Sequence, residues 1–129
     1  MRVMLMIKGE PPPGAAPSEE LLAAMGSYND ELKEAGVLIG LAGLLPSPEG
    51  RRVRFAEGDR AVLEGPFAES KQLIAGSWIL QVQSMDEAVQ WAKRFPFEAW
   101  SRIYPGEYGA EVELELRQVF ELEGFDASS

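Results

Sequence analysis

The chain has 129 residues, 46% of them hydrophobic, which is enough for one domain with a real core and too few for two ordinary ones. Twelve Lys and Arg stand against 21 Asp and Glu, a formal net charge of −9, so the long-range field repels phosphate backbones and anionic membrane surfaces and excludes nucleic acid and membrane as expected partners. There is no Cys, hence no disulfide, thiolate nucleophile or thiolate metal site, and no His, hence no side chain tuned for proton transfer near neutral pH and none of the commonest transition-metal ligand.

In chain order, Arg2 to Lys8 (RVMLMIK) is a continuous apolar run of strand length, the pattern of a central strand buried on both faces. Met1 to Gly9 lacks the small-residue cleavage site of a signal peptide, and no run approaches the ~18 apolar residues of a spanning segment, which points to a cytoplasmic protein. Pro11 to Pro13 break regular structure. Ser18 then caps a helix whose first turn carries Glu19 and Glu20 near the positive end of its dipole. Leu21, Met25, Tyr28, Leu32 and Ala35 form its apolar stripe, and Gly36 stops it.

A second apolar strand, Val37 to Leu44, ends at Pro46 and Pro48. Arg51 to Ala56 and Arg60 to Glu64 flank Glu57-Gly58-Asp59 as a hairpin. Ser77 to Gln83 alternates as a strand, and Ser84-Met85-Asp86-Glu87 is a capping box opening a helix with Ala88, Val89, Ala92 and Phe95 on its inner face. Phe97 to Gly109 reads as an aromatic loop, Glu111 to Phe120 as the last strand. Residues 1–123 are expected to form one domain and 124–129 a loose tail.

Setting the hairpin aside leaves βαββαβ, a ferredoxin-like α+β plan with both helices on one face of an antiparallel sheet. The first two strands are apolar on both sides, which predicts that a second copy of the chain covers part of the open face and makes a homodimer. The alternative is that the hairpin folds across that face.

The segment EGPFAESK, Glu64 to Lys71, resembles the DGPF-type signature of the YCII-related proteins, small ferredoxin-like domains that associate as dimeric α/β barrels. RVMLMIKGE, YNDELKEAGVLIGLAGLLPS, GSWILQVQSMDEAVQWAKRFP and EVELELRQVFELEGF stand where such a protein has them, so the similarity spans nearly the whole chain. Shorter YCII-like members carry a His on the first helix and an Asp near the end of the second, read as an acid/base dyad. This chain has no His, and Phe95 stands in the carboxylate's place. Glu64 replaces the signature's Asp. The resemblance also offers a regulatory role, since such genes often accompany extracytoplasmic-type sigma factors.

Within the motif, Gly65 is suited to a positive φ, Pro66 fixes the next φ, and Phe67 can anchor the turn by burial, in which case Phe67→Ala should cost roughly 3 kcal/mol. The candidate catalytic groups are Glu64 or Glu69 as general base and Lys71 as an anion or carbonyl partner. The candidate ligand-binding set is Phe67, Glu69, Ser70, Lys71, Trp91 and Trp100, with Tyr104 and Tyr108 as further walls. The opposing reading makes the motif a structural corner with solvated charges. With no cofactor, metal or phosphate-loop motif, two functions stand: a dimer binding a small organic molecule near EGPFAESK, or a cofactor-independent enzyme using the same carboxylate and Lys groups. The missing His favours binding.

Overall fold

The computed structural model describes residues 1–9, 18–67, 73–104 and 106–121, the side chains of residues 107 and 108 excepted. The expected domain limit at residue 123 and the tail 124–129 lie outside the described residues.

Strand β1 (Arg2–Lys8) leads to helix α1 (Glu19–Glu34), whose first turn is capped by Ser18 Oγ accepting from the Leu21 amide at 3.2 Å. Gly36, at φ 76°, ends α1 in the left-handed region that favours glycine and turns the chain into β2 (Leu38–Gly43). A 3₁₀ turn over Ser47–Glu49 precedes β3 (Arg51–Ala56) and β4 (Asp59–Glu64). Glu57 and Gly58, both at positive φ, join these two strands as the tight hairpin expected from Glu57-Gly58-Asp59. β5 (Ile74–Gln81) starts earlier than the alternation at Ser77 indicates, and α2 (Met85–Ala92) is capped by Ser84 Oγ accepting from the Glu87 amide at 3.1 Å.

The second half of the chain departs from the sequence reading in three places. Helix α2 stops at Ala92, so Phe95 lies in the following turn, where it is nonetheless buried. The expected loop over residues 97–109 contains two short helices, α3 (Phe97–Ile103) and α4 (Gly106–Ala110). Pro96 opens α3 at a position where its missing N–H costs nothing, and Ala99, Trp100 and Tyr104 find burial on one helical side. β6 is the shorter span Leu114–Gln118.

The main sheet runs β2-β5-β1-β6 with every pair antiparallel, the strand order of the split-βαβ plan, and β3 with β4 forms a separate two-stranded ribbon. Register explains the core. Leu5 pairs with Trp78 and Leu116, and Val3 with Leu80, so one face of three strands presents large apolar groups to Leu21, Tyr28 and Leu32 of α1 and Ala88 of α2. The opposite face carries Met4 and Met6 from β1 beside Ile79 and Ser77 of β5. β1 is central, as its apolar run predicts. β2 is not: it is the edge strand and largely exposed in the single chain, and a bulge between Leu38 and Gly40 shifts its register.

Candidate functional site

Two glycines open a hollow in the helix-facing side of the sheet. Gly43 of β2 pairs with Gly76 of β5, and Gly76 pairs on its other side with Ile7. One row nearer the sheet's centre, Leu41 pairs with Trp78, and the side chains fill the space below the helices. At the Gly43–Gly76 row neither β2 nor β5 projects a side chain, and Ile7 of β1 borders the gap. The strands end there in a cleft of about 310 Å³.

Leu21, Leu22 and Met25 of α1 form one wall, Trp100 and Tyr104 from α3 and its C-terminal end a second, and the segment Leu44–Pro46 the lip. Glu20 of α1 and Arg102 of α3 pair across the two helical walls. The polar side chains along the lining are Asn29 and Tyr104, since Ser77 touches the cleft from a strand position whose side chain faces the other side of the sheet, and among the described lining residues there is no Lys, Arg, Asp or Glu. Asn29 Oδ1 accepts from Trp78 Nε1 at 2.7 Å, which fixes the indole and leaves the Asn29 amide nitrogen as the other hydrogen-bonding end of that side chain.

Behind the cleft the aromatics form one connected cluster. Tyr28 meets Trp78 edge-on at 5.5 Å between ring centres, Phe95 meets Tyr28 and Trp78 at 6.3 Å each, and Trp100 bridges Phe95 at 5.7 Å to Tyr104 at 4.9 Å. Tyr28 donates its hydroxyl to the Trp91 carbonyl at 2.8 Å, and burial, reinforced by Glu31, pushes its pKa up from 10.0 to about 12. Burial also raises the Tyr104 pKa. Neither phenol is poised to exchange a proton near neutral pH.

The sequence candidates are dispersed. Glu64 closes β4 in the open, its carboxylate 3.8 Å from Arg51 Nε on the opposite strand. Phe67 is half-buried rather than part of the core: its ring lies under the Arg52 guanidinium at 4.0 Å, and its amide donates to Ser47 Oγ at 3.1 Å. Truncating it therefore removes less buried surface than a core ring would. Gly65 has no positive φ. It is glycine for closeness instead, because a Cβ there would stand 1.7 Å from the Ser47 carbonyl oxygen. The Gly65-Pro66 peptide is cis. Glu69, Ser70 and Lys71 lie outside the described residues, as does the Tyr108 side chain.

Trp91 is half-buried on α2 with Arg94 beside its ring at 5.6 Å, and it is not part of the cleft. Trp100 is. Among the candidate residues described, the structure thus brings Trp100 to the cleft, where Tyr104 joins it, and leaves Glu64 away from it. Sequence reasoning missed Gly43, Gly76, Leu44 and Leu45. The available signal was a glycine inside each of two strand patterns, Leu41-Ala42-Gly43 and Ala75-Gly76-Ser77.

Among the described residues no group of His, Cys, Asp and Glu is arranged to hold a metal ion, and no helix is long and apolar enough to cross a membrane. The chain is 31% identical over 75 residues to an uncharacterized protein of Rhizobium meliloti (strain 1021). That similarity covers 58% of this chain and 60% of the relative, so the chain matches less than two thirds of the relative's length. The model of the YCII-related domain matches residues 1–103, taking in both strands that frame the glycine hollow and the α1 and Trp100 walls, and the chain belongs to this YCII-related family.

Proposed function

We propose that the protein is a homodimer that binds a small, uncharged, largely apolar organic molecule in the cleft between α1, α3 and the Gly43–Gly76 end of the sheet. The observation that carries this reading is the composition of the cleft: about 310 Å³ walled by leucines and aromatics, with the Asn29 amide and the Tyr104 hydroxyl to orient a ligand and no charged side chain among the described lining residues. An anionic or cationic ligand would lose hydration there and find no counter-charge among the described lining residues. The EGPF corner adjoins this site through Ser47, which follows the lip residue Pro46 and receives the Phe67 amide.

Support for the dimer comes from β1, whose Val3, Leu5 and Ile7 face the helices while Met4 and Met6 stand on the opposite side of the sheet. A second copy laid against that face would cover the two methionines and Ile79. Lys8, Glu115 and Arg117 would form its charged margin: Glu115 sits 3.5 Å from Lys8 and 3.2 Å from Arg117, and the Arg117 contact first, then Lys8, holds its carboxyl below the usual range.

The test is native mass spectrometry of gently purified protein with a titration of the neutral dye Nile red. A dimer that retains an uncharged compound and binds the dye supports the reading. Gly43→Leu places a side chain in the hollow at a position where an added Cβ meets nothing within 4 Å. It should weaken dye binding by about tenfold or more, at least 1.4 kcal/mol, without unfolding the domain. Unchanged dye affinity in that variant would remove the cleft as the site, and a monomer would remove the dimer.

A further inference from the structure

The β3–β4 hairpin is pinned at its root and bare beyond it. At the root the Gly65 amide donates to the Gly50 carbonyl at 3.1 Å, the Phe67 amide to Ser47 Oγ at 3.1 Å, and Arg52 stacks over Phe67. Beyond it every residue of β3 is exposed, and every residue of β4 except Leu63. The register sets Val53 opposite Val62 and places Phe55, 67% exposed, two residues along on the same side. A two-stranded ribbon in water is marginal by itself, and a rigidly rooted apolar face is a surface presented for contact.

Charge indicates what it contacts. Residues 51–64 hold Arg51, Arg52, Arg54 and Arg60 against Glu57, Asp59 and Glu64, a net +1, so the rest of the −9 chain carries −10. A basic ribbon is thus attached to an acidic body, which favours a second copy of the same body as its partner. On that body the cleft mouth offers the matching surface. Leu22, Leu41, Leu44 and Leu45 are exposed there, Leu45 at 77%, and the exposed acids Glu19 and Glu49 stand two residues before Leu21 and three after Pro46 in the chain.

We propose that the hairpin is an intersubunit arm that lays its Val53, Phe55 and Val62 face over the cleft mouth of a second copy of the chain. This rests on the dimer and the cleft proposed above, and it deepens them: the site is open in one chain and gains its roof from the partner, so ligand entry would require the arm to lift. Burial of the arm's apolar face and the leucine rim would stabilise both at once.

Because the chain has no Cys, single cysteines report on this contact without background. Chains carrying Phe55→Cys are mixed with mass-tagged chains carrying Leu45→Cys and treated with a short bismaleimide, which tolerates separations a disulfide does not. Lys93→Cys, exposed at the end of α2, replaces Leu45→Cys in the control. The Phe55–Leu45 intersubunit product should exceed the control by about tenfold or more, as proximity in a complex raises effective concentration. A dimer by native mass spectrometry with equal yields in the two mixtures overturns the arm alone. A monomer overturns the dimer and the arm together, and an intrachain product in Phe55→Cys/Leu45→Cys diluted among unsubstituted chains shows the arm closing its own cleft, which also overturns the proposal.

Discussion

Gly65→Ala isolates the reason for the glycine in EGPF. The added Cβ would lie 1.7 Å from the Ser47 carbonyl oxygen, 2.6 Å from its carbon and 3.2 Å from Pro48 Cα, all backbone atoms. Relief requires a separation of more than an ångström between the hairpin root and the 3₁₀ turn. Three hydrogen bonds oppose it: the Gly50 amide to the Ser47 carbonyl at 2.8 Å, the Gly65 amide to Gly50 at 3.1 Å and the Phe67 amide to Ser47 Oγ at 3.1 Å. At about 1 kcal/mol net for each, losing all three costs about 3 kcal/mol. With a urea m-value near ~2 kcal/mol/M, the unfolding midpoint followed by Trp fluorescence should fall by about 1.5 M. Gly50→Ala is the control. Its Cβ would meet the Ser47 oxygen at 3.3 Å and the movable Phe67 ring at 3.4 Å, so it should cost about 0.5 kcal/mol. Gly65→Asn separates the two possible reasons for glycine, since Asn tolerates positive φ but not the contact. A Gly65→Ala midpoint equal to that of the unsubstituted protein, with the Phe67 amide still protected from hydrogen exchange, would refute the close-contact account.

Two further outcomes follow from the aromatic cluster. Tyr28 has its pKa raised from 10.0 to about 12 in the folded chain, so its contribution to stability is fully present below pH 10 and is lost as pH rises toward 12. Stability measured against pH should fall across that window in the unsubstituted protein and more shallowly in Tyr28→Phe. Absorbance at 295 nm should show Tyr28 ionising near pH 12 and Tyr104 also later than a free phenol, and a protein whose tyrosines all ionise near pH 10 would contradict the burial. Phe95→Asp should cost about 4 kcal/mol or more at pH 7, because it removes a buried ring and places a carboxylate among Tyr28, Trp78 and Trp100. The buried carboxyl's raised pKa would make that variant recover stability on acidification relative to its loss at neutral pH, as chemical denaturation at pH 5 and pH 7 would show.

The fold was legible where periodicity and punctuation agreed. The Ser18 and Ser84 caps, the Gly36 stop, the Leu21-Tyr28-Leu32 stripe and the central place of β1 were all written in local chemistry. Short helices α3 and α4 were not, because seven and five residues carry too little periodic signal, and the Pro and Gly beside them read as loop. The edge position of β2 was hidden because an apolar run looks the same at the centre of a sheet and at a rim that another surface covers. The cleft was hidden for a different reason: it is made of absence. Gly43 and Gly76 meet only through the β2–β5 register, a pairing across more than 30 positions that no local pattern encodes. EGPF drew notice for its charges, yet what the described part of it shows is a contact that excludes a side chain.

The place of Phe95, where the resemblance implies a carboxylate, bears on the proposed choice between binding and catalysis. In this chain the position where the resemblance puts an acid is occupied by a ring that touches Tyr28 and Trp78, and the phenol it touches holds its proton to about pH 12. A proton relay needs groups whose pKa values sit near the working pH and which face a substrate. Here the groups between the helices and the sheet are apolar, and Asn29 spends its oxygen on the Trp78 indole. The aromatics that stand there make a wall, since each adds a flat, weakly hydrated surface to the cluster behind the cleft and Trp100 and Tyr104 carry that surface to its lining. The absence of His and the lack of charge among the described lining residues point the same way, and on them rests the proposal that the protein holds a small molecule and does not transform it.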